Sequence, residues 1–339
     1  MNDKKSLIIS IMVTVIIVAI ITSLIDPSKL IDRLSKTDLL FLSLAILCYL
    51  SLNILITLRI KALLEEMGQN VSFFDCLFSH YGGMLASDFT PARSGYFLTA
   101  FLLSSQDQGK IEKTLTAIFA PQLLEFLLKV VCTGILTIFL IGRLSGIGSW
   151  SLYIMVAIIA IALIVISFLA LLFVHGLLEK FSFLKSLPGG KKIYYLFHLM
   201  RDNSIHVKNR WKEVLVFTIS SWLLKGFEWY FIAQSLGIHI FGSYYDYLFM
   251  LLFQTFLTLT HFLPLPTLAG AGAAEAVGSG VLGLFGVSLE SALAFLFITR
   301  TLMIVVDLMC LKAIVPLFRK ESLTQIIEDI NNIEGRLKS

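Results

Sequence analysis

Three long apolar runs, Leu7 to Ile25, Leu39 to Ile56 and Leu152 to Val174, leave this chain few ways to fold. Each reaches about the 20 residues that an α-helix needs to cross a hydrocarbon core of about 30 Å. Within lipid, every backbone N–H and C=O must find its partner inside the protein, so such runs are read as helices. Composition agrees: 57% of residues are hydrophobic and only 15% charged, which is well outside soluble usage. The fold class expected is therefore all-α, a polytopic integral membrane protein.

Lys4 and Lys5 ahead of the first run also fit a signal peptide, but the stretch is too long for an h-region. No small-residue cleavage site precedes Asp26, so a retained span is expected. The four cysteines, Cys48, Cys76, Cys132 and Cys310, stand singly in apolar segments and suggest neither a disulfide framework nor a metal site. A formal charge of +4 is too small and too dispersed for a nucleic-acid partner. The glycines of LAGAGAAE, residues 268–275, match neither GxGxxG nor a phosphate loop ending in GK[ST]. No HExxH or Ser/His/Asp cluster is visible, and no cofactor is implied.

Hydropathy predicts six full spans, over 7–25, 39–58, 114–140, 151–175, 213–236 and 291–317. Two more apolar stretches, 73–105 and 245–286, are each broken midway by Pro, Gly and polar residues. Each reads as a re-entrant hairpin of two short helices, tolerated at that depth only where protein or a cavity surrounds the break. The whole of 1–320 is expected to be one membrane domain. The remainder, 321–339, places Ile326, Ile327, Ile330, Ile333 and Leu337 on one face of a short amphipathic tail.

The basic linker over 176–212 holds Lys180, Lys185, Lys191, Lys192, Arg201, Lys208, Arg210 and Lys212, which marks it as cytoplasmic. The N-terminus, the loop with Arg59 and Lys61, the loop with Lys110 and Lys113, and the C-terminal tail then fall on the same side. This assignment requires both broken hairpins to return to the side they came from. A cell-membrane protein with both termini cytoplasmic is expected.

The two halves are similar at an offset of about 170 residues. GQNVSFFDCLF from Gly68 resembles GIHIFGSYYDYLF from Gly237; Asp88-Phe-Thr-Pro matches His261-Phe-Leu-Pro, and Gly95 matches Gly270. Glu125 and Arg300 each follow 30 positions after these glycines. Repeat one covers about 39–140 and repeat two about 213–317. Given the orientation, the second runs upside-down relative to the first. Inverted repeats with broken helices are a common transporter plan, with the site near the midplane.

Charged residues at mid-span depth each cost roughly 2.5 to 3.5 kcal/mol by insertion scales. Arg93, Glu125, Lys129, Lys225, Glu228, Glu275, Arg300 and Asp307 are therefore expected to face protein or a wet cavity. Glu125 with Lys129, Lys225 with Glu228, and Arg300 with Asp307 stand four, three and seven residues apart, so each pair shares a helix face. Lys225 with Glu228 reads foremost as a structural pair. Arg93 and Arg300 are candidates for binding phosphate; Glu125, Glu275 and Asp307 would balance charge or meet a cationic headgroup, and Lys129 is a further substrate-binding candidate. Asp88 and His261, at equivalent hairpin tips, are the candidates for proton-linked groups, with a satisfied structural role the alternative.

The stretch PARSGYFLTAFLL from Pro91, the stretch LPLPTLAGAGAAE ending at Glu275, and Arg300 beyond it resemble the flippase-like transmembrane domain of the lysylphosphatidylglycerol synthetase/flippase family. The resemblance covers nearly the whole chain. It implies a domain of about eight hydrophobic helices that moves phospholipids or polyisoprenyl-linked lipids between leaflets, with Arg93, Glu275 and Arg300 at polar positions of the lipid path. Its partners would be membrane lipids with a phosphate-containing headgroup. The family's soluble aminoacyl-transferring domain has no counterpart in this sequence, so aminoacyl-lipid synthesis is not expected. TPARSG also stands where the family more often has a proline-glycine pair. Three classes remain: a lipid flippase or scramblase, a non-transporting partner in a lipid or glycan pathway, and a membrane enzyme acting on a headgroup through Glu275 or Asp307.

Overall fold

The computed structural model describes residues 27–90, 95–106, 111–143, 148–174, 176–180, 182–186, 190–260 and 272–310, and its regular elements there are all helical. The expected first span over 7–25, the hairpin breaks at 91–94 and 261–271, and the tail from 321 lie outside the described residues. The α-helices are α1 (Pro27–Ser35), α2 (Leu39–Glu66), α3 (Phe73–Phe89), α4 (Phe97–Gln106), α5 (Ile111–Arg143) and α6 (Gly148–Phe173). They continue with α7 (Leu177–Lys180), α8 (Gly190–Asn209), α9 (Trp211–Ser235), α10 (Ser243–Thr260), α11 (Ala273–Gly283) and α12 (Leu289–Asp307).

Among the described residues, Leu39–Glu66, Ile111–Gly142 and Leu289–Asp307 are long and apolar enough to cross a membrane. The helix α2 explains how such an element folds in lipid. Asp38 caps its start by accepting the Leu40 N–H at 2.8 Å. Leu40, Ile46, Leu47, Ile54 and Leu58 are exposed on one side. Tyr49, Asn53, Thr57, Arg59 and Ile60 are buried on the other. Polar groups thus face inward and hydrocarbon faces outward, the reverse of a soluble helix and the arrangement that lipid favours.

One correction to the sequence reading concerns the end of α2. The loop expected to carry Arg59 and Lys61 is helix, because the apolar pattern continues through Ile60, Leu63 and Leu64, all buried. The basic linker over 176–212 is largely helical. It contains α8, whose Tyr194, Met200 and Val207 are buried and whose Ser204 Oγ donates to Leu172 O at 3.0 Å.

Both long helices α2 and α9 stop in the same way. Gly68 (φ 74°) and Gly237 (φ 65°) take the left-handed conformation that only glycine adopts without strain. Gly68 N–H donates to Glu65 O at 2.9 Å and Gln69 N–H to Leu64 O at 2.8 Å. Gly237 N–H donates to Gln234 O at 2.9 Å and Ile238 N–H to Ala233 O at 2.9 Å. These are matching Schellman closures.

Helices α2 and α9 lie along each other as the most extensive helix pair. The Asp38 N–H donates to Ser235 O at 2.8 Å, tying the start of one to the end of the other. Around them, α3 packs on α2 and α4, and α10 packs on α9 and α11. Contacts then cross between the halves: α10 packs on α5, and α3 packs on α12 and the 3₁₀ turn Leu308–Cys310. Described helices flank both predicted breaks, α3 and α4 on either side of 91–94 and α10 and α11 on either side of 261–271.

Candidate functional site

The polar inner faces of α2 and α9, with α3, α4, α5, α10, α11 and α12, enclose a cavity of about 480 Å³. Side chains of both halves line it. Its apolar wall includes Leu52, Ile56, Met84, Phe97, Phe119 and Leu296, while Asp88, Glu125, Lys129, Lys225, Glu275 and Arg300 bring charge to it.

A first cluster joins α2, α5 and α9. Lys129 Nζ lies 2.7 Å from Glu125 Oε1, the contact that their four-residue spacing predicts. Arg59 Nη1 reaches Glu125 Oε2 at 3.5 Å and donates to Thr218 Oγ1 at 2.7 Å. Only 2% of the Arg59 side chain is exposed, so Glu125 serves as a shared anion between two cations. Such sharing is how charge survives at depth.

A second cluster sits on α9. Lys225 Nζ lies 2.8 Å from Glu228 Oε2, 3.3 Å from Met303 Sδ and 4.7 Å from the centre of the Tyr49 ring. Glu228 is fully buried. A carboxylate, a thioether and an aromatic face thus surround this ammonium.

In a third cluster, Arg300 Nη1 donates to Glu275 Oε1 at 2.7 Å, and Glu275 Oε2 accepts the Gly272 N–H at 2.6 Å. Glu275 therefore closes the start of α11 while binding α12. The pairing of Arg300 with Asp307 expected from their spacing is not what joins these residues to their neighbours. Arg300 bonds Glu275, and the buried Asp307 accepts from the Tyr49 hydroxyl at 2.8 Å. Asp307 does not line the cavity, which sets it apart from the other expected site residues that the structure describes. Asp88 lines the cavity near the end of α3. Arg93 and His261 lie outside the described residues.

Sequence reasoning missed a chain of uncharged groups. Asn53 Nδ2 donates to Tyr49 O at 2.8 Å, which leaves its Oδ1 as acceptor. His80 Nε2 lies 2.9 Å from that Oδ1, so it carries the proton and His80 Nδ1 accepts from the Tyr96 hydroxyl at 3.1 Å. Tyr49, Asn53, His80 and Tyr96 all line the cavity. The available signal was local: Tyr49, Asn53 and Thr57 recur at four-residue spacing in an otherwise apolar run. Arg59 was missed because it was placed in a loop.

The described polar interior holds four basic side chains, Arg59, Lys129, Lys225 and Arg300, against five carboxylates, Asp88, Glu125, Glu228, Glu275 and Asp307. At three sites the opposite charges are joined by ion pairs of 2.7 to 2.8 Å. Fold and site together define a multi-pass helical membrane protein with a charged cavity between its halves and an apolar outer surface. The chain belongs to the lysylphosphatidylglycerol synthase transmembrane-region family, whose pattern matches residues 7–309. A search of curated proteins finds no match to it. Membership makes this a membrane domain of lipid-related function.

Proposed function

We propose that the protein is a lipid flippase or scramblase, a transporter rather than an enzyme, acting in the cell membrane on a phospholipid or polyisoprenyl-linked lipid. The observation that carries this reading is the cavity of about 480 Å³, which has ion pairs on its walls and lies inside a shell of apolar helices. A headgroup needs such a polar route, whereas acyl chains remain in the bilayer. The family's lipid-related role supports the same reading.

In this proposal 1–320 is one domain of six spans and two re-entrant hairpins, with repeats over about 39–140 and 213–317 inverted about the α2–α9 pair. Two matched features support the repeat: the Schellman closures at Gly68 and Gly237, and the reciprocal packing of α3 on α12 and α10 on α5. Arg59 and Glu228 each stand nine residues before those glycines, so the repeats bury opposite charges at one register position. Helix starts also refine the sequence pairing, because Arg300 then corresponds to Gln122 rather than to Glu125.

Arg93 and Arg300 bind the headgroup phosphate; Glu125, Lys129 and Glu275 hold charge balance around it, with Asp307 doing so from behind the cavity wall. Asp88 and His261 are the groups through which a proton gradient would couple. Both termini and the basic connector face the cytoplasm. The two halves exchange which side of the cavity is open, around a fixed central site. The test is dithionite quenching of labelled anionic, zwitterionic and polyisoprenyl lipids in proteoliposomes. Loss of the protected inner-leaflet signal is expected for at least one of them; protection equal to protein-free liposomes for all of them overturns the reading.

A further inference from the structure

Charge is spread unevenly along the chain. The connector over 176–212 holds eight basic residues against two acidic ones, a surplus of six, whereas the whole chain carries a net charge of +4. The remainder of the chain is therefore net negative. The two arginines of the connector are taken up by the protein's own carboxylates. Arg201 pairs with Glu179 and Asp202, and Arg210 pairs with Glu66 at 3.1 Å and Glu213 at 2.8 Å. Lys180, Lys208 and Lys212 are exposed and form no ion pair among the described residues.

Where these lysines stand decides what they meet. Trp211 opens α9 and is followed at four-residue spacing by Leu215, Ile219, Leu223 and Phe227, all exposed. One stripe of α9 thus faces hydrocarbon, and Trp211, 54% exposed, is its last member. A tryptophan at the end of such a stripe sits at the level of the headgroups. Lys212 Nζ lies 5.8 Å from the centre of the Trp211 ring, and Lys208 stands three residues before it, in the last turn of α8. Helix α8 is fixed at this level, since it packs on α5 and α6 and its Phe197 stacks on Phe168 with ring centres 5.3 Å apart. Its outer side exposes Ile205, and the segment packed against α8 exposes Lys180 and Phe183. Apolar side chains interleaved with uncompensated lysines suit a surface that has hydrocarbon on one side and phosphate on the other.

We propose that the outer face of α8, with the start of α9, is a docking surface for anionic phospholipid of the adjoining leaflet. Trp211 and Ile205 enter the interface, and Lys180, Lys208 and Lys212 meet the headgroup phosphates. The lipid stays in its leaflet, at the rim of the protein and apart from the central cavity. This surface does not depend on the flippase reading.

The test places a polarity-sensitive bimane label at Ile205→Cys in a background with Cys48, Cys76, Cys132 and Cys310 replaced. The full chain is reconstituted in nanodiscs of phosphatidylcholine, with phosphatidylglycerol raised from none to an equal amount. Emission should move to the blue as phosphatidylglycerol rises, and high salt should abolish the change, because exposed charges are screened. Lys180→Gln, Lys208→Gln and Lys212→Gln should each weaken the response about fivefold, and unfolding midpoints check that the variants are folded. A second measurement needs no label: native mass spectrometry should show retained phosphatidylglycerol over phosphatidylcholine in the wild type and loss of that preference in the triple lysine variant. Emission that ignores phosphatidylglycerol overturns the proposal, as does a lipid preference unchanged by the triple substitution. A response that survives high salt does so too, since charge would then play no part. A shift produced in phosphatidylcholine discs by a soluble acidic peptide would make the partner a protein, which equally overturns it.

Discussion

The Tyr49 hydroxyl donates to Asp307 Oδ1 at 2.8 Å, joining α2 of the first half to the end of α12 in the second. Both residues are buried, and the same tyrosine ring carries Lys225 Nζ 4.7 Å from its centre. One side chain therefore does two separable things. Tyr49→Phe removes the hydroxyl and keeps the ring, at an expected loss of about 1–3 kcal/mol from weakening the hold on a buried carboxylate. Tyr49→Leu also removes the aromatic face from Lys225, an additional loss of about 0.5–2 kcal/mol. Thermal unfolding in detergent should rank wild type above Phe and Phe above Leu. Equal midpoints for the two variants would show that the ring contributes nothing to holding Lys225.

Glu125 lies between Lys129 at 2.7 Å and Arg59 at 3.5 Å. Its removal differs in kind from removal of either cation. Glu125→Gln leaves two positive charges together inside the protein, whereas Lys129→Gln leaves the Arg59–Glu125 contact standing. We expect the first to cost about 3–5 kcal/mol and the second about 2 kcal/mol less. Adding Arg59→Met to Glu125→Gln should recover part of the loss, because the more deeply buried cation goes with its partner. A double variant less stable than Glu125→Gln alone would mean that Thr218, rather than Glu125, is what Arg59 mainly serves.

The helices were legible because lipid imposes one rule on long stretches. The expected spans 114–140, 151–175 and 213–236 differ by only a few residues from α5, α6 and α9. Local pairs were legible too: Glu125 with Lys129 and Lys225 with Glu228 bond as helical spacing dictates. What could not be read is which helices meet. Nothing in the sequence distinguishes Glu275 from Asp307 as the partner of Arg300. That choice is made by packing of α11 on α12, which brings a residue 25 positions away closer than one seven positions away on the same helix. The His80–Asn53–Tyr96 chain is silent for the same reason, since each bond joins different elements. Arg59 was hidden differently. A cation near a span's end reads as a loop residue until the burial of Ile60, Leu63 and Leu64 shows the helix continuing.

Gly95 stands at the entrance of α4, where a Cβ would run into the backbone carbonyl of Ala86. Its N–H donates to Thr90 Oγ1 at 2.6 Å, so the segment is held against the end of α3. Because the obstacle is backbone rather than a movable side chain, Gly95→Ala should cost more than about 2 kcal/mol and lower the yield of folded protein. Gly142, near the end of α5, has nothing within 4 Å of the same position. There Gly142→Ala should be neutral or stabilising by up to about 1 kcal/mol. Gel-filtration recovery and unfolding midpoints of the two variants, compared side by side, check the difference.

The proposed inverted arrangement makes a prediction about faces that stability cannot imitate. Asn70 and His239 each lie two residues after a Schellman glycine, in equivalent exposed turns. If the halves are antiparallel, these turns open on opposite sides of the membrane; if parallel, on the same side. On the proposed orientation the Asn70 turn faces the cytoplasm. In a background with Cys48, Cys76, Cys132 and Cys310 replaced, His239→Cys should react with a membrane-impermeant maleimide on intact cells. Asn70→Cys should react only after permeabilisation. Labelling of both from one side would make the halves parallel. A cavity that alternates its opening through inversion would then have no structural basis, whatever its walls can bind.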